Sequence, residues 1–195
     1  MNTFTRRLLA GAAVVLFPIV ALALDEPFRN TITGDVLDIG TAPKAGRDVP
    51  GVKQFLETGV NPFNELKACL PRAEYIYLSS CSGCHGHLAE GKVGPGLSDN
   101  YWTYPKNKTD KGLFETIFGG AQGMMGPHND LQLNELLLAM AWIRHLYTGP
   151  VEDAKWLTKE QKATYTPYKL PEGSDHGTID QAKAAPDDIC GPMAN

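Results

Sequence analysis

Two cysteines and a histidine, Cys81, Cys84 and His85, stand within five residues of one another. Thiols separated by two residues and followed at once by an imidazole match the signature for covalent attachment of a c-type haem. In that chemistry the thiols add to the two vinyl groups of one macrocycle, and the adjacent imidazole binds its iron. A bare Cys-x-x-Cys pair would suit a redox dithiol or half of a zinc site equally well. The appended histidine therefore favours haem.

The segment Gly-Met-Met-Gly-Pro-His at residues 123–128 offers ligands for the opposite face of that iron. A thioether opposite an imidazole is the usual pairing in electron transfer, and it raises the reduction potential relative to two imidazoles. We favour Met125 as the distal ligand and keep Met124 and His128 as alternatives, because one methionine can also fill a gap in a core. Met140 belongs to the apolar line of a helix and is expected in the core.

The first 23 residues predict a signal peptide. Arg6 and Arg7 precede an apolar run over residues 8–22, and Ala21 and Ala23 are the small residues of a cleavage site. The run is short for a membrane span, and an uncleaved anchor is the alternative. Cleavage would leave 172 residues, compatible with one domain, and would change the formal charge from −4 to −6 because both arginines are lost.

These features predict a periplasmic protein without stable membrane insertion. Its acidity disfavours nucleic acid and anionic lipid as partners and suits a partner with a basic docking patch.

Hydrophobic periodicity predicts helices rather than strands, in one domain over residues 24–150 that begins with an extended, irregular arm. Pro71 is expected in the first turn of the second helix, and Asp110 and Asn134 are the expected N-caps of the third and fourth. His145 is expected to be exposed on the fourth helix. The predicted helices are residues 52–58, 65–80, 111–118 and 135–148.

The C-terminal tail, residues 151–195, is polar and interrupted by prolines. We expect it to be irregular apart from a turn of helix at residues 158–163. Once Cys81 and Cys84 are assigned to haem, the remaining thiols are Cys69 and Cys190. A disulfide between them would hold the tail near the start of the haem-bearing helix. Two free thiols are the alternative.

Longer stretches of the chain resemble the cytochrome c-L family of class I c-type cytochromes, the periplasmic electron acceptors of methanol dehydrogenase. The resemblance extends from about Pro27 to Trp156 and is weaker in the tail. It implies an all-α class I cytochrome c fold with one covalently bound haem. The stretches that carry it are residues 28–31, 53–59, 101–105, 110–127 and 141–149.

The resemblance also implies roles for single residues. Gly94-Pro95-Gly96-Leu97 resembles the Gly-Pro-x-Leu segment of class I c-type cytochromes, so the Pro95 carbonyl is expected to accept a hydrogen bond from the ring of His85. Met125 best matches the family's distal ligand. Tyr101 and Trp102 are suited to shield a haem edge and to donate hydrogen bonds to its propionates, although core packing explains at least one such ring equally well.

The family implies an electron carrier and not an enzyme. It would take one electron from the quinone cofactor (PQQ) of methanol dehydrogenase and pass it to a smaller cytochrome c, and we expect a monomer. The resemblance also implies a calcium ion near the haem, for which no cluster of Asp and Glu in the sequence identifies ligands. The alternative donors are other quinoprotein alcohol dehydrogenases, including lanthanide-dependent ones. A haem enzyme or sensor with an open sixth position is the rival class.

Overall fold

This computed structural model describes residues 26–169 and 179–194 of the chain. Within these ranges the regular elements are helices. The N-terminal arm also contains one isolated antiparallel β-bridge, between Arg29 and Val36. The predicted all-α class is therefore confirmed. The predicted signal peptide lies outside the described residues. No helix in the described ranges is long and apolar enough to cross a membrane.

The helices follow one another in a simple order along the described chain. Short 3-10 helices occupy Ile39–Thr41, Pro105–Lys108 and Val151–Asp153. The α-helices are α1 (Pro50–Thr58), α2 (Leu70–Ser80), α3 (Ser82–His85), α4 (Asp110–Gly119), α5 (Leu133–His145), α6 (Lys159–Thr164), α7 (Ile179–Ala184) and α8 (Asp187–Cys190).

The core is formed where α5 packs against α2 and α4. Residues 133–144 of α5 are all buried, including Met140, as the width of its apolar face predicts. Helix α2 contributes Ala73, Ile76 and Tyr77 to this core. Stacked and edge-on phenyl rings connect the N-terminal arm to α1 and α4 through Phe28, Phe55, Phe114 and Phe118.

The first two helices begin and end for local reasons. Gly59 ends α1 in the left-handed region, at φ 69°, where a glycine is free of steric cost. Helix α2 has Pro71 in its first turn, as predicted, but begins at Leu70 rather than at residue 65. Glu65 itself has φ 58° and cannot belong to a right-handed helix.

Two predicted N-caps are wrong. Thr109, not Asp110, caps α4, and its hydroxyl accepts a hydrogen bond from the Gly112 N–H at 3.1 Å. Helix α5 begins two residues earlier than predicted, after Gln132, whose N–H donates to the Glu135 carboxylate. It also ends earlier, at His145 rather than at residue 148.

The two misassigned side chains make long-range contacts instead. The buried Asp110 carboxylate accepts hydrogen bonds from the Asn61 N–H and the Asn64 amide, and it forms an ion pair with Arg144 at 3.0 Å. The Asn134 amide donates to the carbonyls of Cys190 and of the nearby Pro192 in the tail. Each side chain therefore satisfies buried polar groups of a distant segment.

The tail is more helical than the sequence predicts. Helix α6 matches the predicted turn, and α7 and α8 are additional. The buried guanidinium of Arg72 on α2 explains how a polar segment becomes ordered, because it donates to three tail carbonyls and pairs with Asp187 at 2.8 Å. Those carbonyls belong to Ala182, Ala185 and Gly191. Next to them, Cys69 and Cys190 form a disulfide.

We predict that Asp110→Asn destabilises the protein by about 3–5 kcal/mol, because the buried Arg144 would lose its counter-charge. Denaturant unfolding followed by far-UV circular dichroism measures this change. Asp48→Asn is the control, since the Asp48–Lys53 pair lies in solvent and contributes little. Equal stabilities of the two variants would contradict the structural role of the buried pair.

We also predict that replacing both Cys69 and Cys190 by Ala lowers the free energy of unfolding by about 2–5 kcal/mol, because the bridge closes a long loop. The tail should then become sensitive to limited proteolysis between residues 179 and 194. Asn134→Ala, which keeps the disulfide but removes two hydrogen bonds to the tail, should have a smaller effect. If the double variant resists proteolysis as well as the parent does, the hydrogen bonds of Arg72 and Asn134 hold the tail without the disulfide.

Candidate cofactor site

A cavity of about 440 Å³ lies between the end of α2, the loops that follow α3 and α4, and one side of α5. Its volume lies in the range of small-molecule and cofactor sites. The structure brings every predicted site residue except the two disulfide cysteines to its wall. These residues are Cys81, Cys84, His85, Pro95, Tyr101, Trp102, Met124, Met125 and His128.

The two thiols stand on a turn that continues directly from α2. The Cys81 N–H donates to the Tyr77 carbonyl at 2.8 Å, and the His85 N–H donates to the Cys81 carbonyl at 3.0 Å. The pKa of the Cys81 thiol is raised to about 12, mainly because the thiol is buried and to a smaller extent because Cys84 is its neighbour. Redox dithiols depend on a lowered thiol pKa. The burial of the Cys81 thiol therefore disfavours the interpretation of this pair as a redox dithiol.

The ring of His85 is held by the loop that follows it. Its Nδ1 donates to the Pro95 carbonyl at 2.8 Å, which leaves Nε2 as the nitrogen available to a metal. A Cβ at Gly94 would lie 2.7 Å from a carbon of the imidazole, so the backbone approaches this closely only because the residue is glycine. The Gly94 N–H donates to the Cys84 carbonyl and ties the loop back to the turn.

The candidate distal ligands lie on the segment that follows α4. This segment is anchored by hydrogen bonds from the Ala121 N–H to the Met125 carbonyl and from the His128 N–H to the Ile117 carbonyl. The Met124 side chain is 85% exposed, whereas Met125 is partly buried and packs against the core. Both methionines and His128 line the cavity.

The two aromatic residues differ in their surroundings. Tyr101 is 70% exposed at the edge of the cavity, whereas Trp102 is buried. The guanidinium of Arg144 lies 5.2 Å from the centre of the Trp102 ring and 4.0 Å from that of Trp156. Trp102 therefore connects the cavity wall to a buried charge.

Several contributors to this site were not predicted. The buried hydroxyl of Tyr77 donates to the Gly86 carbonyl at 2.8 Å and fixes the backbone just after His85. A tyrosine on a buried helix face needs an acceptor, so the residue type was a usable signal. Asn107 and Thr116 also line the cavity, and no local pattern identifies them.

Two other expectations need correction or find no support. His145 is half-buried rather than exposed, and its Nδ1 lies 3.2 Å from the Glu65 carboxylate, away from the cavity lining. Within residues 26–169 and 179–194, no group of three His, Cys, Asp or Glu side chains could hold a metal ion. The calcium implied by resemblance therefore finds no support from a cluster of acidic side chains in these ranges.

Comparison with known proteins agrees with this geometry. The family model for cytochrome c oxidase, cbb3-type, subunit III matches residues 69–143. Cytochrome c-L of Methylorubrum extorquens is 64% identical over 146 residues, which cover 74% of this chain and 74% of that protein.

Two crystal structures are also similar. Cytochrome cL from Hyphomicrobium denitrificans is 64% identical, with a TM-score of 0.69 over 74% of this chain and 87% of that one. Cytochrome cL from the marine methylotrophic bacterium Methylophaga aminisulfidivorans is 52% identical, with a TM-score of 0.71 over 75% and 98%. The class I cytochrome c fold is thereby confirmed. The chain belongs to the cytochrome c-L family, and it is an electron-transfer protein rather than an enzyme.

Proposed function

We propose that this protein is a periplasmic carrier that takes single electrons from PQQ-dependent methanol dehydrogenase and delivers them to a smaller cytochrome c. The observation that carries the proposal is the cavity in which Cys81, Cys84 and His85 meet Met125. Membership of the cytochrome c-L family makes the chain a c-type electron carrier of methylotrophy. The donor, the acceptor and the compartment are our inferences.

The residues present fit haem c. Cys81 and Cys84 carry free thiols on one turn, and His85 presents one nitrogen while the other is engaged by Pro95. When bound, haem c supplies an iron that alternates between two oxidation states by one electron. The protein's own part is to hold the thiols and the imidazole in a fixed arrangement. The pairing with Pro95 fixes the ring orientation and increases its basicity.

Met125 is the distal ligand that the contacts favour. Its side chain is partly enclosed against the core, and its carbonyl is tied to the Ala121 N–H at 2.9 Å. Met124 extends into solvent, where it can contribute little to a buried site. A methionine in this position would close the sixth coordination site and would oppose the rival function of a haem enzyme or sensor.

The rim of the cavity suits a brief encounter with a redox partner. Val93, Tyr101 and Met124 are large, exposed apolar side chains that line its opening. A small apolar rim on an acidic protein fits a weak complex that is steered by charge and released quickly. The disulfide supports an oxidising compartment, in keeping with the predicted signal peptide.

We predict that Met125→Ala converts the visible spectrum of the purified protein from low-spin to high-spin, because a coordination position would open. Cyanide should then bind readily, and spectroscopic titration measures this. Met124→Ala is the matched control and should keep the parental spectrum. If His128→Ala or Met124→Ala produces the high-spin form instead, the assignment moves to that residue.

We predict that reduced methanol dehydrogenase reduces the oxidised protein at least about tenfold faster than it reduces an unrelated small c-type cytochrome, because docking is specific and steered. Stopped-flow absorbance measures both rates. Repeating the assay with a lanthanide-dependent methanol dehydrogenase and with another quinoprotein alcohol dehydrogenase tests the donor. A faster reaction with either of them would replace the proposed donor.

A further inference from the structure

The segment that bears the candidate distal ligands, residues 120–128, is rich in glycine. Gly120 and Gly123 adopt positive φ angles of 81° and 89°. The described chain places no atom within 4 Å of a Cβ built at Gly123 or at Gly126, so this part of the segment is not packed against its surroundings. Glycine has more backbone freedom to lose than any other residue. Contacts at the ends of the segment are therefore needed to hold Met125 in place.

The N-terminal arm, residues 26–49, supplies contacts of this kind. It precedes residues 69–143, which the cbb3-type family model matches, so it is an addition to the part of the fold that the model covers. The arm is fastened to α4, where the Arg29 N–H donates to the Glu115 carboxylate at 2.8 Å. From there it reaches the C-terminal end of the helix.

Asn30 contacts the residue at which α4 ends. Its side-chain nitrogen donates to the Gly119 carbonyl at 3.0 Å. Gly119 is the last residue of α4, and carbonyls in the last turn of a helix have no intrahelical partner. A Cβ at Gly119 would lie 2.9 Å from that nitrogen, so the close approach depends on the glycine. Asn30 thereby fixes the point at which the methionine segment leaves the helix.

The orientation of the Asn30 amide is defined by its other contacts. The amide oxygen accepts hydrogen bonds from the Ile32 N–H at 2.8 Å and from the Thr33 N–H at 3.0 Å. The Asn30 N–H donates to the Asp35 carbonyl at 2.8 Å. Exchanging the amide nitrogen and oxygen would break all the bonds of the side chain. The donor that meets Gly119 is therefore part of an ordered turn.

The arm also contacts the chain just beyond the segment. The Asn129 amide donates to the Thr41 hydroxyl at 3.3 Å. Beside it, the His128 N–H donates to the Ile117 carbonyl of α4 at 3.0 Å. The arm thus holds both ends of residues 120–128, and the shorter contact is the one made by Asn30.

We infer that Asn30 is a positioning residue for the distal ligand, and that its hydrogen bond to Gly119 keeps the methionine segment in the arrangement in which Met125 lines the cavity. The inference rests on the proposed function, to which the assignment of Met125 belongs. Without this bond, local opening of the segment would cost less free energy. The sixth coordination position would then be accessible to small ligands from solution more often.

Asn30→Asp in the oxidised, haem-loaded protein tests this inference. The variant keeps an oxygen for the Ile32 and Thr33 N–H groups but removes the donor to Gly119. Free imidazole competes with a thioether for the sixth position, so its apparent affinity should rise roughly three- to tenfold. Spectroscopic titration measures this. Without imidazole, the charge-transfer band between thioether and iron should persist, because the ligand itself is unchanged.

Two further variants separate this role from a general effect on the arm. Thr33→Ala removes a hydrogen bond from the Asp35 N–H within the same turn and should keep the parental imidazole affinity. Asn30→Ser, whose side chain is too short to reach Gly119, should bind imidazole more tightly, and it decides the question if Asn30→Asp does not fold.

Hydrogen exchange provides a readout that needs no added ligand. The Ala121 N–H, which donates to the Met125 carbonyl, should exchange faster in both Asn30 variants than in the parent. In Thr33→Ala its exchange should be unchanged.

Parental imidazole affinity and parental exchange in the Asn30 variants would overturn the inference, as would an equal rise in affinity in Thr33→Ala. The premise is tested separately by Met125→Ala. If that variant keeps the charge-transfer band, the assignment of the distal ligand fails, whatever the Asn30 variants show.

Discussion

The guanidinium of Arg144 is the charge around which one wall of the cavity is assembled. It is completely buried, and burial lowers its pKa while Asp110 opposes that shift. A buried charge is tolerated only where partners compensate for the lost water. Here they are the Asp110 carboxylate, the Asn107 carbonyl and the rings of Trp102 and Trp156. These contacts fix helices α4 and α5 and residues 102–107 relative to one another. The cavity wall that these segments form is therefore held in place.

The opposite wall depends on a helix that is held at both ends. At its start, α2 is joined to the tail by the Cys69–Cys190 disulfide and by Arg72. At its end, the Tyr77 hydroxyl fixes the Gly86 carbonyl, beyond the turn that bears the two thiols and His85. Sites carried by rigid elements hold their ligands more accurately than sites carried by loops alone. Such a frame suits a carrier, whose metal site should change little between its two oxidation states.

The existence of the main helices followed from the sequence, but several of their ends did not. Asp110 and Asn134 have the side chains of N-caps, but Asp110 is the first residue of α4 and Asn134 is the second residue of α5. Both side chains bind groups that are distant in the sequence, because a carboxylate or amide that could cap a helix can equally form a hydrogen bond with a buried partner. His145 likewise contacts the carboxylate of Glu65, which is distant in the sequence. The tail became helical because α2 supplies a buried guanidinium that no inspection of the tail could reveal.

The amino-acid sequence alone identified the candidate cofactor-binding residues, which are two thiols and an imidazole on one turn and a methionine pair on a glycine-rich segment. It also contained the long stretches that resemble one family. Such features are fixed by covalent spacing, and a short peptide already contains them. Only tertiary structure decided that Met125 is the more enclosed methionine and that Asn107 and Thr116 line the cavity. Those facts depend on contacts between segments far apart in the chain, which exist only once α2, α4 and α5 have packed together.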